Sequence, residues 1–279
     1  MSAAIIGSES VAAGVLTPYA LRTRYFAIHP DVYLPHGAEV DALTRAEAAW
    51  LWSRRRGVVA GSSAAALHGT KWVDPGASAE LLYGNRRGPS GIRTYADRFG
   101  DDEIVEINGI RVTTPARTAL DLGRRNPINR AVAAIDALAN ATNLKATDVA
   151  LLAQRYRGRR GMTRARAAFD LVDAGAESPR ETWLRLLLLR AGFPPPRTQI
   201  PVYDEFGQLV ARLDMGWEDS MIAAEYDGDH HRTNRRQFNR DIARTDSLTA
   251  MGWIVVRVTS EDTPAVIVRR VESAFARRA

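Results

Sequence analysis

Ser178-Pro179-Arg180-Glu181 opens a helix, and Pro194-Pro195-Pro196 forbids its continuation. Serine caps, proline takes the first helical position, and the glutamate at the third closes a capping box. The leucines of TWLRLLLLRAG predict a mostly buried helix ending at Gly192. Three extended runs follow: Arg197 to Tyr203, Leu209 to Gly216 and Met221 to Asp227, joined by turns at Asp204–Gly207 and Trp217–Ser220. A helix over about 234–251, a buried strand Gly252 to Val258 and a last helix over about 261–277 complete the order. The element order is helix, three strands, helix, strand, helix.

Alternation along the second and third runs places Leu209, Leu213 and Met215 on one face with Ile222, Ala224 and Tyr226. Arg212, Asp214, Glu225 and Asp227 fall on the other. Carboxylates facing each other across a hairpin destabilise it and push one pKa upward. A hard divalent ion, Mg²⁺ or Mn²⁺, relieves that repulsion by taking carboxylate oxygens as ligands. Pairing with Arg212 or Arg240 is the structural alternative. The segment AEYDGDHHR adds His230 and His231, either of which could accept a proton near neutral pH. Arg236, Arg240 and Arg244 recur every fourth residue, as in a row tracking phosphates or in a solvated face.

These residues carry a resemblance. Glu181 in SPRETWLRLLL, Asp214 in ARLDMGW, Glu225, Asp227 and Gly228 in AAEYDGDHH, and NRDIARTDSLTAMGWIVVRVT resemble the PD-(D/E)xK nuclease superfamily, in its branch near the very-short-patch repair endonucleases. The likeness covers about residues 177–279. It implies a restriction-endonuclease-like αβββαβα core and metal-dependent hydrolysis of a DNA phosphodiester, in repair or in defence against phage and mobile elements. By the same resemblance Asp214 and Glu225 hold the metal, and Glu181 is a ligand directly or through water, or simply the capping-box glutamate. Asp227 stands where the superfamily's lysine is expected, which leaves the general base open between His230 and His231, with His231 taken as catalytic. Arg212, His230, Arg236, Arg240 and Arg244 are the expected DNA contacts.

The amino-terminal part is the basic one. Residues 1–176 hold 23 Lys+Arg against 17 Asp+Glu, whereas 177–279 hold 15 of each. Such an excess suits a polyanionic partner, most simply DNA. A helix over 41–56 ends in Arg54-Arg55-Arg56-Gly57, where the arginines either complement the helix dipole or clamp phosphate, and Gly57 ends the helix. Ser62 or Ser63 is expected to cap a short helix through Leu67. Strands at 79–83 and 92–95 precede a hairpin turning at Asn108-Gly109, and Thr114-Pro115 opens the next helix. SSAAALHG and NGIRVTTPARTALDL resemble the abortive-infection antitoxins, of type IV toxin–antitoxin systems, over about residues 1–125. That likeness implies a winged-helix-like α+β domain that reads DNA. Helices at about 127–140, 147–157 and 162–173 read as a connector over 126–176, with an arginine-rich loop at 155–166.

The expected fold is therefore α/β (α+β, multidomain). Having no cysteine, the 279-residue chain can form no disulfide, thiolate metal site or cysteine nucleophile. The first twenty residues carry Glu9 and no basic run, unlike a signal peptide, and no apolar run spans a bilayer. A cytoplasmic protein acting on DNA, as monomer or homodimer, is the expectation. Its alternative is a non-catalytic DNA-binding regulator or antitoxin with a degenerate nuclease fold.

Overall fold

The computed structural model describes residues 4–228 and 244–278, and the chain divides into two units, Met1–Val172 and Asp173–Ala279. Each is mixed α/β.

The first unit begins with strand β1 (Ile5–Ile6), helices α1 (Gly7–Ala12) and α2 (Pro18–Arg24), and a hairpin of β2 (Tyr25–His29) and β3 (Val32–Pro35). These strands form an antiparallel sheet ordered β1-β3-β2. Helix α3 (Ala42–Trp52), capped by Asp41, serves two cores. Its Ala48 and Leu51 pack with Val32 and Leu34 of this sheet, and its Ala46 and Ala49 with Val59 and Leu81 of the next. A helix flanked by two sheets must be small and apolar on both sides, which explains its alanines.

The second sheet is ordered β6-β5-β4-β8-β7: β4 (Val58–Val59), β5 (Ala79–Leu82), β6 (Ile92–Tyr95), β7 (Ile104–Ile107) and β8 (Ile110–Thr113). Asn108 and Gly109 both have positive φ, 51° and 79°, as the two-residue turn between β7 and β8 requires. Helix α3 ends earlier than expected. Arg54 and Arg55 take the left-handed conformation, at φ 56° and 62°, while Gly57 does not. Gly57 is needed for space instead, since a Cβ there would sit 3.0 Å from Ser53 Oγ. Helix α4 (Gly61–Leu67) starts two or three residues before the expected serine caps, from Ala60, which offers no side-chain oxygen. Glu80 of β5 takes that role: its Oε1 accepts from Ser62 N at 3.3 Å and Ser62 Oγ at 2.8 Å.

Helices α5 (Pro115–Arg125), α6 (Ile128–Ala141), α7 (Ala146–Arg155) and α8 (Met162–Phe169) follow. The stretch read as a connector is not a free linker: α6, α7 and α8 all pack on α5. A charged network lies inside this layer. Arg117, 0% exposed, donates to Glu103 (2.5 Å), Asp121 (3.2 Å) and the Tyr156 hydroxyl (2.6 Å). Arg155 also reaches Glu103, and Arg125 reaches Asp121. Burial pushes the Glu103 carboxyl up, but hydrogen bonds from Arg117, Tyr156 and Arg155 outweigh it and hold it below the usual range. For Asp121 burial wins, and its pKa is raised despite three arginines.

The second unit contains α9 (Pro179–Arg190), β9 (Arg197–Tyr203), β10 (Leu209–Trp217), β11 (Ile222–Tyr226), α10 (244–250), β12 (Ile254–Val258) and α11 (Pro264–Ala276). The element order is the one read from the sequence. Strands β9, β10 and β11 are antiparallel neighbours, and β12 joins β11 in parallel to give the order β12-β11-β10-β9. One face carries Met215, Trp217, Ile222 and Ala224 against Leu184, Leu188, Ile267 and Val271 of α9 and α11. The other carries Ala211, Leu213 and Ala223 against Leu248 and Trp253.

The expected grouping of Leu209, Leu213 and Met215 on one face does not hold. Leu213 and Met215 belong to opposite clusters, and Leu209 is exposed. Strict alternation breaks at Asp214, and across the β9–β10 pair the facing Gln199 has a positive φ of 51°. A left-handed residue in a strand is an irregularity that re-aims its neighbours.

Candidate nucleic-acid and metal site

Asp214 and Glu225 come together through strand register. Met215 pairs with Ala224 and Gly216 with Ala223, so Asp214 and Glu225 are the next residues along the two strands, near enough for the Glu225 charge to act on Asp214. Asp214 Oδ2 accepts from Tyr226 N at 2.9 Å, which ties its carboxylate to β11. Gly216 permits this close approach, because any Cβ there would collide with the Ile222 carbonyl. Glu181 enters from the first turn of α9. That helix is held on β11 by Trp183, edge-on to Tyr226 at 6.4 Å between centroids, and by Arg180 over the Tyr226 ring at 5.7 Å.

The electrostatics follow from this crowding. Burial lifts the Asp214 pKa to about 7, with Glu181 and Glu225 adding to it and the Tyr226 N–H and Arg244 opposing. Burial raises Glu181 as well. Its capping role is also real, with a shifted partner: Glu181 N donates to Ser178 Oγ (3.2 Å), while Glu181 Oε2 accepts from Glu177 N (2.9 Å), not from the cap residue itself.

A guanidinium supplies the counter-charge. Arg244, on α10, donates to both oxygens of Glu225, from Nη1 to Oε2 at 3.1 Å and from Nη2 to Oε1. It also donates to the Arg212 carbonyl (3.3 Å). Among the described residues the arginine pairing is thus made by Arg244 and not by Arg212, one of the two alternatives. Arg212 is exposed and lies 3.7 Å from Glu177. Asp227 is exposed just past β11, its backbone N–H bonded to the Val258 carbonyl. His230, His231, Arg236 and Arg240 lie outside the described residues.

Two carboxylates of this kind have the donor chemistry for Mg²⁺ or Mn²⁺. Both oxygens of Glu225 are engaged by Arg244, however, and among the described residues no group of three or more His, Asp or Glu side chains is placed to hold a metal ion. As arranged, the site is a carboxylate pair closed by an arginine. Arg257 is a neighbour that sequence reasoning missed: it stands beside Glu225 in the β11–β12 register. Counting strands from GWIVVRV would have located it.

The arginine triplet is largely consumed in ion pairs. Arg54 meets Asp31 at 2.6 Å, and Arg55 makes two hydrogen bonds to Glu9 at 2.9 and 2.7 Å. Arg56 lies 5.8 Å over the Tyr83 ring. A phosphate clamp at Arg54 and Arg55 would have to displace those acids. Glu9 is held below its ordinary pKa by Arg55, and Asp31 by Ser8 and Arg54 against the opposing effect of burial.

Residues 57–171 match the AbiEi antitoxin C-terminal domain. That match runs through α6, α7 and α8, beyond the likeness read over 1–125. Two proteins of Mycobacterium tuberculosis, the uncharacterized proteins MT2308 (strain CDC 1551) and Rv2248 (strain H37Rv), are each 30% identical over 224 residues, covering 80% of this chain and 82% of theirs. No solved structure matches the chain. Among the described residues, no helix is long and apolar enough to cross a membrane.

Proposed function

This chain belongs to the family of those two mycobacterial proteins and carries an antitoxin domain, and on that premise we propose that it is a DNA-binding regulator of the antitoxin type. The observation that carries the reading is the antitoxin match over 57–171. The amino-terminal arrangement supports it: two short helices followed by the β2–β3 hairpin have the form of a helix-turn-helix with a wing. Helix α2 buries none of its residues and exposes Tyr19, Arg22 and Arg24. Polar and basic side chains on a helix with no core of its own suit a groove and a phosphate backbone. The test is a mobility-shift titration with DNA from the region upstream of the protein's own gene, in rising salt. Arg22→Ala/Arg24→Ala should weaken binding at least tenfold. Unchanged binding would remove α2 from the interface, and no binding by the wild type would sink the reading.

A second reading is supported by Asp214 and Glu225 in register with Glu181 behind them: a metal-dependent endonuclease. Asp214 and Glu225 would hold Mg²⁺ or Mn²⁺, and the ion would polarise a phosphoryl oxygen and activate a water. For that, Arg244 must leave Glu225. Calorimetric titration with Mn²⁺ separates the readings. The regulator reading expects no binding by the wild type and its appearance in Arg244→Ala. Tight wild-type binding lost in Asp214→Ala, with DNA cleavage, would favour the nuclease.

A further inference from the structure

Strand β12 forms an edge of its sheet, and between it and α11 runs a groove of about 460 Å³. Arg257, Arg269, Arg270 and Arg277 line it around an apolar floor that includes Val255 and Ala274. The carboxyl-terminal part carries as many acids as bases, so four arginines around one groove are a local concentration. Only Arg270 has an acidic partner there, Asp262 at 3.0 Å. Arg257 donates to the Thr245 hydroxyl and makes no salt bridge among the described residues. Arg269 and Arg277 are exposed and have no acidic partner among the described residues. Arg269 on α11 and Arg277 at its C-cap have Ser273 between them and are about two turns apart, or about 12 Å at 1.5 Å per residue.

The groove also has a direction. Arg257 is the register partner of Glu225, so at the usual strand spacing of about 4.8 Å this one end of the groove adjoins Glu225. We propose that this groove seats the phosphate backbone of a nucleic-acid strand and leads it toward Asp214 and Glu225. Guanidinium groups match phosphate oxygens in pairs, and a row of them positions a strand without reading its bases. An acidic peptide shares the charge, and the neighbouring carboxylates repel it as they repel phosphate; the antitoxin match over 57–171 is what favours nucleic acid. The inference rests on the nucleic-acid reading of the chain.

Fluorescence anisotropy on the full chain tests it, with a labelled single strand, its duplex and a labelled oligoglutamate peptide, each in a salt series. Arg269→Glu/Arg277→Glu should lower nucleic-acid affinity at least tenfold. Arg269→Gln/Arg277→Gln, which introduces no repulsion, should reduce the slope of log affinity on log salt by about 1.4 for a single strand or about 1.8 for a duplex. Arg269→Lys/Arg277→Lys should keep the wild-type slope. A wild type that binds but whose slope the glutamine variant leaves unchanged overturns the groove alone. A wild type that binds neither strand overturns the DNA-binding reading with it. Oligoglutamate binding lost in the glutamine variant, with nucleic-acid binding intact, assigns the groove to an acidic peptide and refutes the proposal.

Discussion

Replacing Arg117 by methionine keeps most of its length and removes its charge from a site with no solvent exposure. The change deletes hydrogen bonds to Glu103, Asp121, the Tyr156 hydroxyl and the Arg98 carbonyl, and a guanidinium stacked 4.8 Å from the Tyr156 ring. Breaking a buried ion pair from one side costs about 3–5 kcal/mol, because the partner stays buried and charged. Here the acids are not abandoned: Glu103 keeps Arg155 at 2.8 Å and Tyr156 at 2.7 Å, and Asp121 keeps Arg125 at 3.0 Å. The lower end, about 3 kcal/mol, is therefore expected. Hydrogen exchange of the α5 backbone reads this locally, and about 3 kcal/mol corresponds to roughly 150-fold faster exchange. Peptides from α9, in the other unit, serve as the internal reference. Adding Asp121→Asn should recover part of the loss, since it removes the acid left in excess. Less than about tenfold acceleration in α5, or roughly 1.4 kcal/mol, would mean the network contributes no more than a solvated pair and would refute the reasoning.

Asp214 gives a pH signature. Its folded pKa, raised to about 7, exceeds its unfolded value, so the folded state binds more protons between about 4 and 7 and stability falls as pH rises through that window. Urea unfolding across this range should show the slope, and Asp214→Asn should flatten it. Gly61 has φ 55°, and a Cβ there would lie 2.5 Å from Glu80 Oε2. Gly61→Ala should cost about 2 kcal/mol, a fall of about 4–8 °C in thermal midpoint. Trp217 Nε1 donates to the Pro194 carbonyl at 2.8 Å, so Trp217→Phe should cost about 1 kcal/mol by denaturant titration.

What is legible in the sequence is what short-range chemistry decides. Thr114-Pro115, Ser178-Pro179, Asn108-Gly109 and Gly192 each dictate a local geometry, and the helices and turns stand where those residues put them. The strand register follows from alternation near the Trp217–Ser220 turn, and so Asp214 and Glu225 fall near each other. What is not legible depends on residues distant in the chain. Nothing in TTPARTALDL marks Arg117 as buried, because its partners Glu103 and Tyr156 come from elsewhere in the chain. The alternation fails at Asp214 because of an irregularity on another strand, at Gln199. Arg244 fits equally a phosphate row or a counter-ion, and only the position of Glu225 decides.

The cap that Glu80 places on α4 has a temporal consequence. A helix of seven residues with alanine at its cap position has no local means of nucleation, and its missing acceptor arrives on a strand that follows it in the chain. As the chain emerges from a ribosome, α4 must wait for β5 before it can close. Without β5 the segment GSSAAALHG lacks that acceptor, so α4 is expected to order together with the docking of β5 and not ahead of it.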